Sequence, residues 1–317
     1  MKRYFFIISI IFLLILSPVS EGKFIYSTSD PAGDDYGPGT YEYPTQEVFK
    51  PYQGLFDITS FKIYEPDNNY YLLKIKMGKI TNPWDKKHGF SFPLIELYLD
   101  TKEGGSIKPF RKGARVRFTD KHPWNKLIKI SGEWIRVFTP SDNKKEIIDL
   151  SSGVVKSDWD LKDYEVSVSE NTISIKLRQE VLGPLLKNVY LYVLVGGYNP
   201  FGEGYYRDVK AKPSSWSFSD STHSDLNNAP RVIDIMLPQD MKQKNILGDF
   251  KQDYPVVYPL EVADDNILYE LVRDYLVSVL LVLLLIYVLW HVFTHNNDDL
   301  QEALDEELPW NKNSNRK

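Results

Sequence analysis

The chain of 317 residues contains no cysteine, which excludes disulfide bonds, thiolate nucleophiles and cysteine-based zinc sites. It also lacks a strong charge of one sign, because 38 Lys and Arg stand against 43 Asp and Glu, a net charge of −5. A nucleic-acid-binding surface would need a clustered excess of basic residues, so that class of function is disfavoured. With 14% aromatic and 43% apolar residues, the chain has enough material to form a folded core.

Recognisable catalytic motifs are also absent. The sequence has no Gly-x-Ser-x-Gly nucleophile elbow, no phosphate-binding glycine loop and no His-Glu-x-x-His zinc motif. The histidines between its two ends, His88, His122 and His223, are not spaced as ligands on a helix and are expected to be ordinary loop residues. We therefore predict that the protein is not an enzyme. A glycosidase stays open as an alternative, since it needs only two suitably placed carboxylates.

The first 22 residues have the organisation of a secretory signal peptide. A basic start at Lys2 and Arg3 precedes an apolar run, Tyr4–Leu16, which is too short for an ordinary membrane-spanning helix. Small residues follow, up to Gly22. We predict a signal peptide over 1–22 and export of the chain that follows, with an uncleaved signal anchor as the alternative.

A second apolar run, Tyr275–Phe293, lies near the other end. As a helix, this run would be about 28 Å long, close to the thickness of the bilayer hydrocarbon. The sequence predicts one C-terminal transmembrane helix over 275–293, with a buried core helix as the alternative. The predicted protein is then a single-pass protein of the cell membrane, with its binding domain (23–260) outside, a juxtamembrane linker or helix (261–274) and an acidic cytoplasmic tail (294–317).

The residue pattern of 23–260 predicts an all-β fold. Several segments alternate with period two, as strands with one buried face do; they are Tyr71–Met77, Pro93–Asp100 and Thr172–Arg178. In the second of them, the apolar residues at 95, 97 and 99 are expected to face away from a wetter side that carries Glu96 and Tyr98. Tyr190–Val195 is more evenly apolar and suits a central strand. Many short strands separated by turn residues predict a β-sandwich.

The first loop of the predicted exported part is acidic and rich in glycine. Asp30, Asp34 and Asp35 fall within six residues, and Asp57 opens the next apolar run. A hard cation would relieve the repulsion among these carboxylates, and Ca²⁺ takes six to eight oxygen ligands. The pattern predicts a structural calcium site, while a solvated acidic turn, or Asx capping of the local backbone, is the alternative.

Aromatic residues at turns form a second group of candidates: Trp84, Trp124, Tyr205 and Tyr206. Flat rings outside strands can stack on the apolar faces of sugars. Large rings also often cover the ends of a sandwich, so a purely structural role is the alternative.

The most distinctive strings are DPAGDDYGPGTYEYPT (30–45), FDITSFKIYE (56–65), GGYNPFGEGYYRDV (196–209), SSWSF (214–218) and NAPRVIDIMLP (228–238). Their order resembles the C-terminal domain family of glucodextranase, which also occurs in amylopullulanases and cell-surface proteins. The resemblance implies a DOMON-like β-sandwich related to the family-nine carbohydrate-binding modules. It further implies a noncatalytic, surface-attached module that binds carbohydrate and holds calcium through the loop acids. Arg207, in the YYRDV string, is then a ligand-binding candidate, or else it pairs with Asp208.

Taken together, these features predict a membrane-anchored, noncatalytic cell-surface module. Its expected partner is an α-glucan or an envelope polysaccharide, and calcium is its expected cofactor. The alternative is an envelope scaffold that contacts a surface-layer or transporter component.

Overall fold

A computed structural model describes residues 22–67, 69–144, 160–183, 185 and 189–262, and further on 276, 278–280, 282–287 and 290. The chain divides into two compact units, 1–264 and 265–317. The predicted signal peptide up to residue 21, the predicted cytoplasmic tail and nearly all of the predicted linker lie outside the described residues.

The first unit is built from short strands, with very little helix. The strands are β1 (Lys23–Ser29), β2 (Ile58–Asp67), β3 (Tyr70–Met77), β4 (Pro93–Asp100), β5 (Arg117–Phe118), β6 (Lys126–Ile130), β7 (Ile135–Phe138), β8 (Tyr164–Ser169), β9 (Thr172–Arg178), β10 (Val189–Gly197), β11 (Val209–Lys210), β12 (Phe218–Ser219), β13 (Val232–Ile235), β14 (Val256–Val257) and β15 (Leu260–Val262). The two α-helices described in this unit are α1 (Gln179–Leu182) and α2 (Gln243–Leu247), and single 3-10 turns cover Glu47–Phe49, Phe110–Lys112, Pro140–Lys144 and Glu203–Tyr205.

Two larger antiparallel sheets dominate this unit. The first has five strands in the order β1-β2-β3-β9-β8, and the second has the order β13-β10-β4-β6-β7, with β15 also paired to β10. β10 and β4 pair from Tyr190 opposite Asp100 to Gly197 opposite Pro93. The evenly apolar run at 190–195 is therefore a central strand, as predicted from the sequence. Two further pairs, β11 with β12 and β14 with β5, are short and parallel.

The second sheet is buried on both faces, which accounts for the unbroken burial of β4. Its inner face packs against the first sheet, where Ile75, Leu97 and Val193 belong to one apolar cluster. A layer of loops covers its other face and forms a second cluster that includes Tyr98 and Trp124.

The prediction of a wetter face on β4 is wrong for this reason. Glu96 and Tyr98 are both fully buried beneath the loop layer. Glu96 forms an ion pair with Lys129, which lies opposite it on β6 and is also fully buried. The Lys129 ammonium also donates a hydrogen bond to the Gly204 carbonyl at 2.8 Å. A buried pair of this kind is retained only where each charge has a partner.

The all-β, sandwich-like architecture expected from the sequence is confirmed, but the transmembrane helix is not. In the described part of the chain, no helix is both long enough and apolar enough to cross a membrane. The single-pass topology and the membrane localisation predicted from the apolar run at 275–293 are contradicted with it.

Candidate functional site

The acidic loop lies between β1 and the 3-10 turn at Glu47–Phe49 and folds back on the start of β2. Gly33 has a φ of +84°, a left-handed conformation that suits glycine, and its N–H donates to Asp57 Oδ2 at 3.0 Å. Asp35 is fully buried. Its Oδ2 accepts hydrogen bonds from the Gly54 N–H at 2.8 Å and from the Tyr43 hydroxyl.

A fifth acidic residue, Asp234, joins these from the middle of β13. Its Oδ2 accepts the Ile58 N–H at 2.6 Å, across 176 positions of the chain. One carboxylate oxygen from each of Asp30, Asp34 and Asp234 lies within 4.8 Å of the other two. The sequence did reveal one signal for this residue, a single charge inside the apolar run VIDIM. We define the aspartate cluster as Asp30, Asp34, Asp35, Asp57 and Asp234.

Each member of the aspartate cluster has one buried carboxylate oxygen without a hydrogen-bond partner. Within the described residues, no Lys or Arg forms an ion pair with any of the five. Buried polar atoms in folded proteins are normally satisfied, and unpaired buried carboxylates are especially costly. The cluster therefore needs either protons or a cation.

The pKa values of the cluster follow from burial and mutual repulsion. Burial, reinforced by the charges of Asp34 and Asp57, raises the pKa of Asp30 to about 8. Burial chiefly raises the pKa of Asp57 to about 6, with Asp35 and Asp34 adding to the shift. Burial, followed by repulsion from Asp30 and Asp34, raises the pKa of Asp234 well above its ordinary value. A cation bound among these carboxylates would lower their pKa values again.

The donor set fits a hard divalent cation. All ligand atoms of the group formed by Asp30, Asp34 and Asp234 are carboxylate oxygens, which suit Ca²⁺ or Mg²⁺ better than a soft transition metal. Asp30 and Asp34 also line a cavity of about 760 Å³, and Gln243 of α2 forms part of its wall. Gln243 fixes the loop, because its Nε2 donates to the Asp34 carbonyl at 2.5 Å.

The raised pKa values predict how the metal-free protein responds to pH. The folded state retains protons that the unfolded chain releases near pH 4, so this contribution to stability is complete at low pH. It is lost as the pH rises through about 6 and then about 8, the folded-state values of Asp57 and Asp30. We expect the chelator-treated protein to unfold at lower urea concentration at pH 8 than at pH 5.5. Saturating calcium should remove this decline, and a metal-free protein that is more stable at pH 8 would contradict the assignment.

A second constellation lies at another part of the surface, where two loops bring indole rings together. Trp84, between β3 and β4, is 36% exposed, and Trp216, between β11 and β12, is 48% exposed. Their ring centroids are 6.5 Å apart, with the planes inclined by 36°. Phe92 supports Trp84 at 4.8 Å, and Phe49 supports Trp216 at 6.0 Å. We call Trp84 and Trp216, with Phe49 and Phe92 beneath them, the aromatic platform.

Hydrogen bonds hold both platform loops. Asn82 bridges the Trp84 loop, since its side chain accepts the Lys86 N–H at 2.8 Å and the Ser91 hydroxyl at 2.7 Å. Ser91 in turn accepts the Trp84 N–H at 3.3 Å. The Trp216 loop is tied to the residues before Phe49, because the Thr45 N–H donates to the Ser214 carbonyl at 2.9 Å. The rings are therefore presented by a fixed backbone.

Trp124 and Tyr206, predicted to bind sugar, do not reach the surface. Trp124 is fully buried in the loop layer, where it packs on Tyr98 at 5.1 Å and donates from Nε1 to the Lys108 carbonyl at 2.8 Å. Tyr206 is 1% exposed and packs over the second sheet beside Gly196, where an added Cβ would meet its ring at 2.2 Å. A ring with no accessible face cannot stack on a sugar, so both are core residues.

Tyr205 and Arg207, also predicted to bind ligand, are both largely covered by neighbouring residues. Tyr205 is half-buried against Trp134 at 5.1 Å, and its hydroxyl accepts a hydrogen bond from Arg136 at 2.9 Å. Arg207 lies beneath the aromatic platform, and its Nη1 donates to the Trp216 carbonyl at 2.6 Å. It does not pair with Asp208, which instead accepts from Arg231 at 2.9 Å. Of the predicted ligand-binding residues, Trp84 and Arg207 thus lie at the platform, and Trp216 is the member that sequence reasoning missed.

The burial of Trp124 gives a direct prediction. We expect Trp124→Ala to lower the free energy of unfolding by about 3–5 kcal/mol, because it leaves a large cavity in the loop layer. Carbohydrate affinity of the protein that remains folded should be unchanged. Urea unfolding and a binding isotherm on the same preparation check both points. If Trp124→Ala binds carbohydrate more weakly but loses no stability, Trp124 is part of the binding surface.

A comparison with known families identifies the family of this chain. The family model described as the C-terminal binding module, SLH-like, of glucodextranase matches residues 25–259, well over half of the chain. The match spans both large sheets, the aspartate cluster and the aromatic platform, and it confirms the resemblance seen in the sequence. No curated protein matches the chain.

Proposed function

Because the chain belongs to the family of C-terminal, SLH-like binding modules of glucodextranase, we propose that it is a noncatalytic carbohydrate-binding module that holds a structural calcium ion. The aromatic platform is the sugar-binding surface in this proposal. The aspartate cluster is the cation site, and its role is to fix the fold.

The observation that carries the proposal is the pair of exposed indole rings, Trp84 and Trp216. Exposed tryptophans are uncommon, since such rings usually bury most of their surface. Here two of them, from loops far apart in sequence, lie 6.5 Å apart on a fixed backbone. Rings of this size supply a large apolar contact at low cost in side-chain entropy, which suits the apolar face of a sugar ring.

The cation proposal rests on the five unsatisfied carboxylate oxygens of the aspartate cluster. Bound calcium would supply the positive charge that this part of the fold lacks. Asp30 and Asp34 contribute from the acidic loop and Asp234 from β13, so the site links the loop to the second sheet. In a chain without disulfide bonds, such a link stabilises the folded state by mass action.

A binding panel tests the proposed function. The full-length chain is offered to immobilised α-glucans and envelope polysaccharides, with calcium and with chelator, at a temperature where both forms remain folded. We expect saturable binding of at least one polysaccharide and no release of reducing sugar during the incubation.

Two outcomes would contradict the proposal. A calcium-loaded, folded protein that binds none of the polysaccharides would remove the carbohydrate function and favour the scaffold alternative. Release of reducing sugar that persists in the Asp234→Asn variant and in repeated preparations would show catalysis and remove the noncatalytic assignment.

A further inference from the structure

Arg207 is a buried cation directly beneath the proposed sugar-binding surface. Its guanidinium carbon lies 5.2 Å from the centroid of the Phe49 ring and 6.0 Å from that of Trp216. The residue retains 8% of its exposure. Gly197, at the end of β10, leaves room for it, because a Cβ there would meet the Arg207 side chain at 2.8 Å.

The charge of Arg207 is not neutralised within the described part of the chain. No carboxylate there forms an ion pair with it, and its buried Nε has no hydrogen-bond partner. Burial lowers its pKa to about 10. The neighbouring buried arginine, Arg231, shows the usual arrangement, since it pairs with Asp208 at 2.8 Å and with Glu203 at 3.0 Å. Arginine is rarely this buried unless it is paired.

Contacts with two aromatic faces and one carbonyl compensate only part of the lost solvation. A guanidinium presents several donors in a planar fork that matches a carboxylate or a phosphate. The Arg207 guanidinium carbon lies 6.0 Å from the Trp216 ring centroid, so an anionic substituent on a sugar stacked on that ring would lie near it.

We propose that the ligand of the aromatic platform is an acidic glycan and that Arg207 recognises its carboxylate or phosphate group. This inference rests on the proposed carbohydrate-binding function and narrows its substrate class. Trp84 and Trp216 contact the sugar rings, while Arg207 selects for the negative charge.

The test compares three sets of oligosaccharides of matched length: neutral α-glucans, uronate-containing oligosaccharides and phosphorylated oligosaccharides. The calcium-loaded, full-length chain should bind one of the two acidic sets at least 10-fold more tightly than the neutral set. Its affinity for that set should fall modestly as salt is raised, because a nearly buried ion pair is screened less than an exposed one. The set that is preferred identifies the anionic group.

Variants assign the preference to Arg207. We expect Arg207→Gln to weaken binding of the preferred acidic set by at least 10-fold and to weaken any neutral binding much less, because only the acidic ligand loses an ion pair. Arg207→Lys keeps the charge without the planar fork, so it should retain only part of the affinity. The lysine variant also provides the test of Arg207 if the glutamine variant folds poorly. Arg117→Gln, which removes one positive charge at the exposed pair with Asp253, is the matched control and should bind as the wild type does.

The outcomes separate this inference from the proposed function. The role of Arg207 is overturned if neutral glycans bind as tightly as acidic ones or more tightly. It is also overturned if Arg207→Gln leaves the binding of acidic glycans intact. In both cases the proposed carbohydrate-binding function stands. Absence of binding to all three sets by folded protein overturns both.

Discussion

The Asp234→Asn variant should be more stable than the wild type without metal and should gain nothing from calcium. Asp234 is fully buried, its pKa is raised well above the ordinary value, and Asp30 and Asp34 repel its charge. Asparagine removes that repulsion yet still offers an oxygen to the Ile58 N–H, so the metal-free fold improves. The same substitution removes a charged ligand from the cation site, so the wild-type gain on adding calcium disappears.

The expected size of that gain follows from mass action. Calcium at about 100 times its dissociation constant stabilises the wild type by about 2.7 kcal/mol, which shifts the unfolding temperature by roughly 5–10 °C for a domain of this size. Differential scanning calorimetry with calcium and with chelator measures both effects. Asp120→Asn, at an exposed position, is the matched control and should respond to calcium as the wild type does. If Asp234→Asn keeps the full calcium response, Asp234 is not a ligand.

Truncation of the aromatic platform should have the largest effect on binding. We expect Trp216→Ala to weaken carbohydrate affinity by about 30-fold or more, the magnitude of about 2 kcal/mol typical of an aromatic hot spot. Trp84→Ala should weaken it similarly. Both rings are substantially exposed, so their removal leaves smaller cavities than a core substitution does and affects stability less. Isothermal titration with the oligosaccharide identified by the panel gives the ratio of dissociation constants.

Phe201→Ala provides the control for this experiment. Phe201 is 88% exposed, so its removal deletes an exposed ring of comparable apolar character from another loop. The carbohydrate affinity of Phe201→Ala should match that of the wild type. If the two tryptophan variants bind as tightly as Phe201→Ala, then the sugar-binding surface lies elsewhere and Trp84 and Trp216 only cover Phe49 and Phe92.

Strand positions could be read from the sequence wherever the alternation was regular. Pro93–Asp100 and Thr172–Arg178 are strands over the same residues in the structure. The sequence could not show whether each face of these strands is buried or exposed, because that depends on what covers the sheet. Glu96 looks like an exposed strand residue in isolation, and its burial follows from the loop layer and from Lys129 on a neighbouring strand.

The aspartate cluster shows the same limit. Asp30, Asp34 and Asp35 are close in sequence, so their proximity in space could be predicted, but Asp234 reaches them only through the pairing of β13 with β10. A register shift at Val195 and Gly196 interrupts that pairing. Short-range patterns do not encode which strand becomes the neighbour of a loop, nor where a bulge turns a side chain.

The length and hydropathy of the apolar run at 275–293 predict a transmembrane helix. Hydropathy measures how favourably side chains leave water, but a membrane-spanning segment must also form an uninterrupted helix of about 20 residues. In the described part of the chain, no helix meets both the length and the hydropathy that a membrane span requires.

The bond from the Ile58 N–H to Asp234 has a consequence for the order of assembly. It joins the second strand of the domain to its thirteenth, so the cation site cannot be completed until the ribosome has delivered nearly the whole domain. Pairing of β1, β2 and β3 involves nearer neighbours in sequence and can precede it. If calcium binds there as proposed, it binds late in folding and slows unfolding more than it speeds folding.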